Sequence, residues 1–118
     1  MPRVYFALDL KDDAALIAEY ERCHRPEHIW PEVITGLKTA GVVELEIFRC
    51  GNRLMMVMDA PPGFAAAHPA ARAIGRAAQW EELMWRFQQS LPFAEPGQKW
   101  VPMQCIFSLT ETRREQDR

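Results

Sequence analysis

The stretch VVELEIFRCGNRLMMVMDA, residues 42–60, constrains the fold more than any other part of the chain. Over 42–49, Glu44, Glu46 and Phe48 alternate with Leu45, Ile47 and Arg49, the period-two spacing of a strand whose side chains project to opposite faces. CGN at 50–52 supplies glycine where a hairpin turn needs positive φ. RLMMVMDA at 53–60 then returns as a second strand with almost no polar side chain on either face. Such a strand needs apolar company on both sides, so the hairpin belongs to a larger antiparallel sheet.

The flanking segments supply the rest of that sheet. RVYFALDL (3–10) reads as a first strand that stops at the polar KDD. Asp12 or Asp13 caps a helix to about Cys23, with Leu16, Ile17, Tyr20, Cys23 and His24 on adjoining faces, and Pro26 ends it. PEVITGLKTAG (31–41) is a second helical piece, with Pro31 in its first turn, Glu32 at its positive end and Gly41 as its stop. After PPG (61–63) comes an alanine-rich stretch divided by Pro69 and Gly75. RAAQWEELMWRFQQS (76–90) predicts a helix with Trp80, Leu83, Met84 and Phe87 on its apolar face. LPFAEPGQKW (91–100) reads as a loop and VPMQCIFSLT (101–110) as the closing strand.

The order β-α-β-β-α-β is that of the α+β ferredoxin-like fold, a four-stranded antiparallel sheet with helices on one face. Its other face is left apolar and bare, which calls for a partner. The expectation is a homodimer through the sheet faces, packed sheet on sheet or closed into a dimeric α/β barrel. The alternative is a monomer covered by its own 61–75 segment. Residues 1–110 form a single domain, and 111–118 a charged, frayed tail.

Composition excludes several function classes. A net charge of −2 gives no pull toward nucleic acid or an anionic membrane surface. No apolar run approaches the length of a membrane span, and the N-terminal one is too short and interrupted for a secretory leader. Cys23, Cys50 and Cys105 are odd in number, far apart and in no CxxC pair, so neither a disulfide framework nor a zinc site is expected. They read as reduced thiols, mostly buried, in a cytoplasmic protein. A small neutral substrate or a protein partner suits this balance.

Chemistry concentrates in YERCHRPEHIWPE, residues 20–32. Tyr20 and His24 are one helical turn apart and share a face, with His24 at the helix end. An imidazole exchanges protons near neutrality, and a phenol beside it can hydrogen-bond a hydroxylated ligand. The plainer reading is a surface histidine with a tyrosine packed beneath it. His28, beside Trp30, competes for the acid–base role, and His68 in AAAHPAA reads as a surface residue. His24 and His28 are spaced like a metal pair, but Pro26 between them breaks the register, and no metal is expected.

Trp80 and Trp85 point to different helix faces, so one can pack in the core while the other looks into a cavity. Indoles stack on the C–H faces of sugar rings, although core packing is the commoner role. Glu44, Glu46 and Asp59 are candidates to orient His24. Solvent, Arg49 or Arg53 would otherwise occupy them. No phosphate loop, nucleophile elbow or paired Cys/His ligand set is present.

Four blocks together resemble the L-rhamnose mutarotase family over residues 3–109: Y-x3-H…IWPE, GVVELEIFRCGNRLMMVMD, QWEELMWRFQQ and KWVPMQCIF. EHIWPE, the GNR hairpin and W-E-x-L-M-W-R-F-Q look most like the branch thought to act on L-fucose or related 6-deoxy sugars. The resemblance implies a small, dimeric, cofactor-free ferredoxin-like enzyme that interconverts the α and β anomers of 6-deoxy-L-sugars. It implies His24 as the active-site histidine, Tyr20 as a substrate-binding residue and Trp80 as the stacking tryptophan. Leu45 and Glu81 stand where rhamnose-type members carry a tyrosine and a second tryptophan. The chain also has two extra residues between His24 and IWPE. The pocket, with Trp30 and His28 nearby, therefore differs in detail, and the sugar's identity is open. A cofactor-free monooxygenase of aromatic substrates and a non-catalytic ligand-binding module are the competing classes.

Overall fold

A computed structural model describes residues 3–62 and 75–117; His68 and nearly all of the 61–75 segment lie outside them. The elements run β1 (Arg3–Leu10), α1 (Ala14–Cys23), α2 (Pro31–Thr39), β2 (Glu44–Cys50), β3 (Arg53–Asp59), α3 (Gly75–Trp85), β4 (Gln88–Gln89), β5 (Val101–Pro102) and α4 (Leu109–Gln116). The antiparallel sheet has the order β2-β3-β1-β4, with β5 also on β1. This is the ferredoxin-like order anticipated from the sequence, with the closing strand split in two.

Local chemistry accounts for most boundaries. Asp13 caps α1, its Oδ1 accepting from the Leu16 N–H at 3.0 Å. Pro31 occupies the first turn of α2, where its missing N–H has no intrahelical acceptor anyway. Gly41 follows at φ 85°, and a Cβ there would sit 2.9 Å from Pro61 Cγ, so both backbone and space demand glycine. Gly51 at φ 61° turns the hairpin, and Asn52 fastens it to β1 through Nδ2–H donated to the Leu10 carbonyl at 3.0 Å.

Alternation along the strands builds the core. Phe6, Leu8, Leu10, Leu54, Met56 and Met58 project to the inner face and are buried against Tyr20, Trp80, Met84 and Phe87. Each such side chain contributes about 1.5–3 kcal/mol by leaving water. The alternate residues form the outer face, where Tyr5 and Phe48 are exposed and Met55 and Val57 half-buried.

The C-terminal third departs from the sequence reading. The helix expected over 76–90 stops at Trp85, where Arg86 and Phe87 donate to carbonyls only three residues back. Gln88 and Gln89 then pair with Leu10 and Asp9 on the free edge of β1. The strand expected over 101–110 is regular only at Val101–Pro102. Pro102 has no N–H to donate, and β1 offers few residues beyond Phe6 for further pairing. Residues 103–108 continue as an irregular arm with Ile106 93% and Phe107 68% exposed. The expected frayed tail is instead helix α4, capped by Ser108 Oγ accepting from the Glu111 N–H at 3.3 Å. The cysteines differ too: Cys50 and Cys105 are exposed and Cys23 half-buried, all three as free thiols.

Candidate active site

A cavity of about 1020 Å³ opens between the inner face of β2 and β3 and the helices α1, α2 and α3. Leu45, Ile47, Met56 and Met58 give it an apolar floor, and Tyr20, His24, Trp80, Glu81 and Gln88 bring the polar and aromatic groups. Such a mixture is typical of a small-molecule site.

His24 is the C-cap residue of α1, at the point where Pro26 prevents another turn. Its Nδ1 lies 2.8 Å from the Tyr20 carbonyl. A carbonyl can only accept, so Nδ1 carries the hydrogen and the neutral ring keeps its lone pair on Nε2. Burial holds the imidazole pKa below its ordinary value, opposed by the Tyr20 carbonyl and by the charge of Glu81. The ring lies 4.4 Å from that of Tyr20 and 5.3 Å, edge-on, from that of Trp80.

Tyr20 is buried, and this drives its phenol well above the usual tyrosine range, so it stays protonated. Gln88 Nε2–H makes a long 3.5 Å hydrogen bond to the Tyr20 hydroxyl oxygen, while the buried Gln88 Oε1 has no partner among the described residues. Trp80 is backed edge-on by Trp30 at 5.3 Å. Trp30 in turn lies under the Arg76 guanidinium, 3.8 Å from the ring centre.

Of the residues singled out from the sequence, the fold brings Tyr20, His24, Glu44, Leu45, Trp80 and Glu81 to the cavity wall, with Glu44 Oε1 accepting from the Leu45 N–H. Trp30 stands behind Trp80 rather than on the wall. His28 is exposed and away from the wall, its Nδ1 donating to the Arg22 carbonyl at 3.1 Å. No sheet carboxylate orients His24. Asp59 pairs with Arg3 at 3.1 Å, and Glu46 follows the strand parity of the outer face. The carboxylate whose charge reaches His24 is Glu81.

A family profile described as L-rhamnose mutarotase matches residues 3–109. The chain belongs to the L-rhamnose mutarotase family. An L-fucose mutarotase of Xanthomonas campestris pv. campestris is 53% identical over 94% of this chain and 90% of its own. An L-rhamnose mutarotase of Acidiphilium cryptum is 32% identical over 92% of this chain and 99% of its own. In the fold, the crystal structure of an L-rhamnose mutarotase from Formosa agariphila superposes with a TM-score of 0.66 at 22% identity, covering 92% of this chain and 99% of that one.

In this mutarotase-family cavity, sequence reasoning passed over Gln88, Trp100 and Lys99. Gln88 was assigned to the helix that in fact ends three residues earlier. Trp100, the residue before β5, also lines the cavity. Lys99 stands behind the wall, 2% exposed and 2.7 Å from Glu81 Oε2. A lysine in a polar loop carries no signal of burial.

Proposed function

We propose that this sugar mutarotase interconverts the α and β anomers of a 6-deoxy-L-hexose, with His24 as the proton-transfer group. The observation that carries the reading is the imidazole pinned on the wall of the cavity it shares with Trp80, with Nδ1–H on the Tyr20 carbonyl, which leaves the lone pair on Nε2. A pyranose opens when the anomeric hydroxyl gives up a proton and the ring oxygen takes one. Rotation about C1–C2 and the reverse transfers close the ring on its other face. Burial favours the neutral imidazole, so His24 accepts first and, once charged, returns the proton. The protonated Tyr20 phenol donates to a sugar oxygen, and the apolar flank of the ring lies against Trp80. As the anomeric O–H proton leaves, C1=O forms and the bond from C1 to the ring oxygen breaks with a proton taken by that oxygen; closure reverses this, and a positioned acid–base group is worth roughly 10²–10⁴-fold in such proton transfers. L-fucose is the first substrate to try, since the 53% identical relative bears its name, and L-rhamnose the second.

Two-dimensional exchange NMR on equilibrated L-fucose and L-rhamnose tests this directly. The expected result is enzyme-dependent exchange between the α and β anomeric protons. No acceleration with either sugar would remove the mutarotase reading and favour a binding module, or, if oxygen is consumed with a quinol, a monooxygenase.

The reading includes a homodimer through the outer sheet faces, in the cytoplasm, where three unpaired thiols stay reduced. The centre of that face is apolar (Tyr5, Ala7, Phe48, Met55 and Val57), and four of its charges are paired with each other, Arg3 with Asp59 and Arg53 with Asp9, beside the carboxylates Glu44 and Glu46. A largely apolar face of this kind suits a second copy of itself. Met103, Ile106 and Phe107 of the arm and Leu109 at the start of α4 are further exposed apolar side chains. Val57→Lys should turn a dimer into a monomer in sedimentation velocity, and a monomeric wild-type chain would end this part of the proposal.

A further inference from the structure

Lys99 is the chain's least expected buried residue. Its side chain is 2% exposed, yet it carries an ammonium. The donors are all spent locally: Nζ–H bonds run to Glu81 Oε2 at 2.7 Å and to the Glu81 backbone carbonyl at 2.8 Å, and Nζ lies 4.7 Å from the centre of the Trp85 ring. Lys99 therefore grips both ends of a single residue and has nothing left to offer a ligand.

Burying an ammonium is expensive, and an apolar side chain of similar volume often serves a fold equally well. What the pair achieves that methionine could not is to fix a carboxylate. Glu81 sits on the cavity wall beside Trp80, its side chain 32% exposed. Oε2 is held by Lys99, whereas Oε1 makes no hydrogen bond among the described residues. A carboxylate can only accept, and a sugar hydroxyl is a donor of matching kind. Because Lys99 also binds the Glu81 backbone carbonyl, swinging the side chain away from the cavity would break a chelate rather than one contact.

We propose that Glu81 is a specificity-determining residue that accepts a hydrogen bond from one hydroxyl of the bound sugar, and that Lys99 is the positioning residue that aims it. The floor, Leu45, Ile47, Met56 and Met58, offers no acceptor; of the other carboxylate and amide acceptors on the lining, Glu21 is paired with Arg49, Glu44 Oε1 accepts from the Leu45 N–H, and Gln88 Oε1 is uncharged. A half-buried charged acceptor discriminates between a hydroxyl and its absence or misplacement, because an analogue that cannot donate leaves Glu81 Oε1 without a hydrogen bond from the ligand. The pair thus selects by hydroxyl configuration, while Trp80 and the apolar floor select for a ring with an apolar flank. The inference rests on sugar as the cavity's ligand, and not on its turnover.

The experiment compares wild type, Glu81→Gln, Lys99→Met and the double variant Lys99→Met/Glu81→Met on L-fucose, L-rhamnose and monodeoxy analogues of the better sugar. The expected result is a KM raised about 10- to 100-fold in Glu81→Gln and Lys99→Met, with kcat falling by less, the signature of lost binding. One monodeoxy analogue should lose the same factor with wild type and almost nothing further with Glu81→Gln. The double variant should melt as high as wild type or higher while showing the same raised KM, which separates recognition from stability. An unchanged KM in folded Glu81→Gln, or deoxygenation losses that multiply with it at every position, would overturn the proposal. If wild type exchanges no anomers, tryptophan-fluorescence titration with the same sugars decides instead. A Kd raised 10- to 100-fold in Glu81→Gln upholds the pair's role although the mutarotase reading has failed, and an unchanged Kd or no sugar binding at all overturns it.

Discussion

Two histidines four residues apart, His24 and His28, make the same local bond and have different surroundings. Each donates Nδ1–H to a backbone carbonyl of α1, His24 to Tyr20 at 2.8 Å and His28 to Arg22 at 3.1 Å. His24 stands on the cavity wall between Tyr20 and Trp80; His28 is exposed on the connector. Fixing the tautomer is thus common to both and marks neither as functional. The difference is what surrounds each ring, and Pro26 ends the helix between the two.

The sharpest way to break this comparison is to delete each ring. His24→Ala should slow anomer exchange by about 10²–10⁴-fold, and His28→Ala should stay within about twofold of wild type. The reverse ranking in exchange NMR would move the chemistry to the connector. A smaller loss is expected from Tyr20→Phe, which removes the phenol donor while keeping the ring against His24. A single hydrogen bond of about 1.5 kcal/mol corresponds to roughly a tenfold fall in kcat/KM. A Tyr20→Phe enzyme at full activity would leave the phenol with a packing role only.

The comparison could be drawn in advance because its ingredients are local. The Y-x3-H spacing on a helix, the Asp13 cap, Pro31 and the Gly51 turn are all short-range chemistry, and the helix and strand periods do the rest. What escaped was long-range. Nothing in QQ or VP announces a strand; Gln88–Gln89 and Val101–Pro102 become strands because β1 has an open edge there. The same holds for Lys99, whose burial depends on Glu81 and Trp85 arriving from another element. Helix α4 is a different kind of miss. Ser108 followed by Glu111 is a capping signal legible in the sequence, outweighed in the reading by the polar run after it.

The gentlest perturbation is pH. His24 must be neutral to take the first proton, and burial lowers its pKa. Activity should therefore persist below the ordinary imidazole value of about 6.5 before the acid limb of the kcat/KM profile falls. In Glu81→Gln the carboxylate no longer favours the imidazolium, so the limb should move lower still; a shift upward would contradict the assigned contact. The same lowered pKa links to folding. As pH drops below about 6.5 the unfolded chain binds a proton at His24 before the folded one does, so stability declines in that window. Melting curves at pH 7 and pH 5 should differ in that direction, and His24→Gln should narrow the gap.

One further consequence follows from the position of β1 in the sheet. It is the first strand in the chain, yet its neighbours are β3, β4 and β5, with Arg3 opposite Asp59 and Phe6 opposite Pro102. On the ribosome, which adds about 5–20 residues per second, this strand must wait for half the chain before one edge is paired and for nearly all of it before the other is. RVYFALDL thus travels with two open edges until β3 emerges and with one until β4 and β5 do. Nascent-chain crowding and slow translation through 60–100 should therefore lower the yield of active protein more than an equal delay after Pro102.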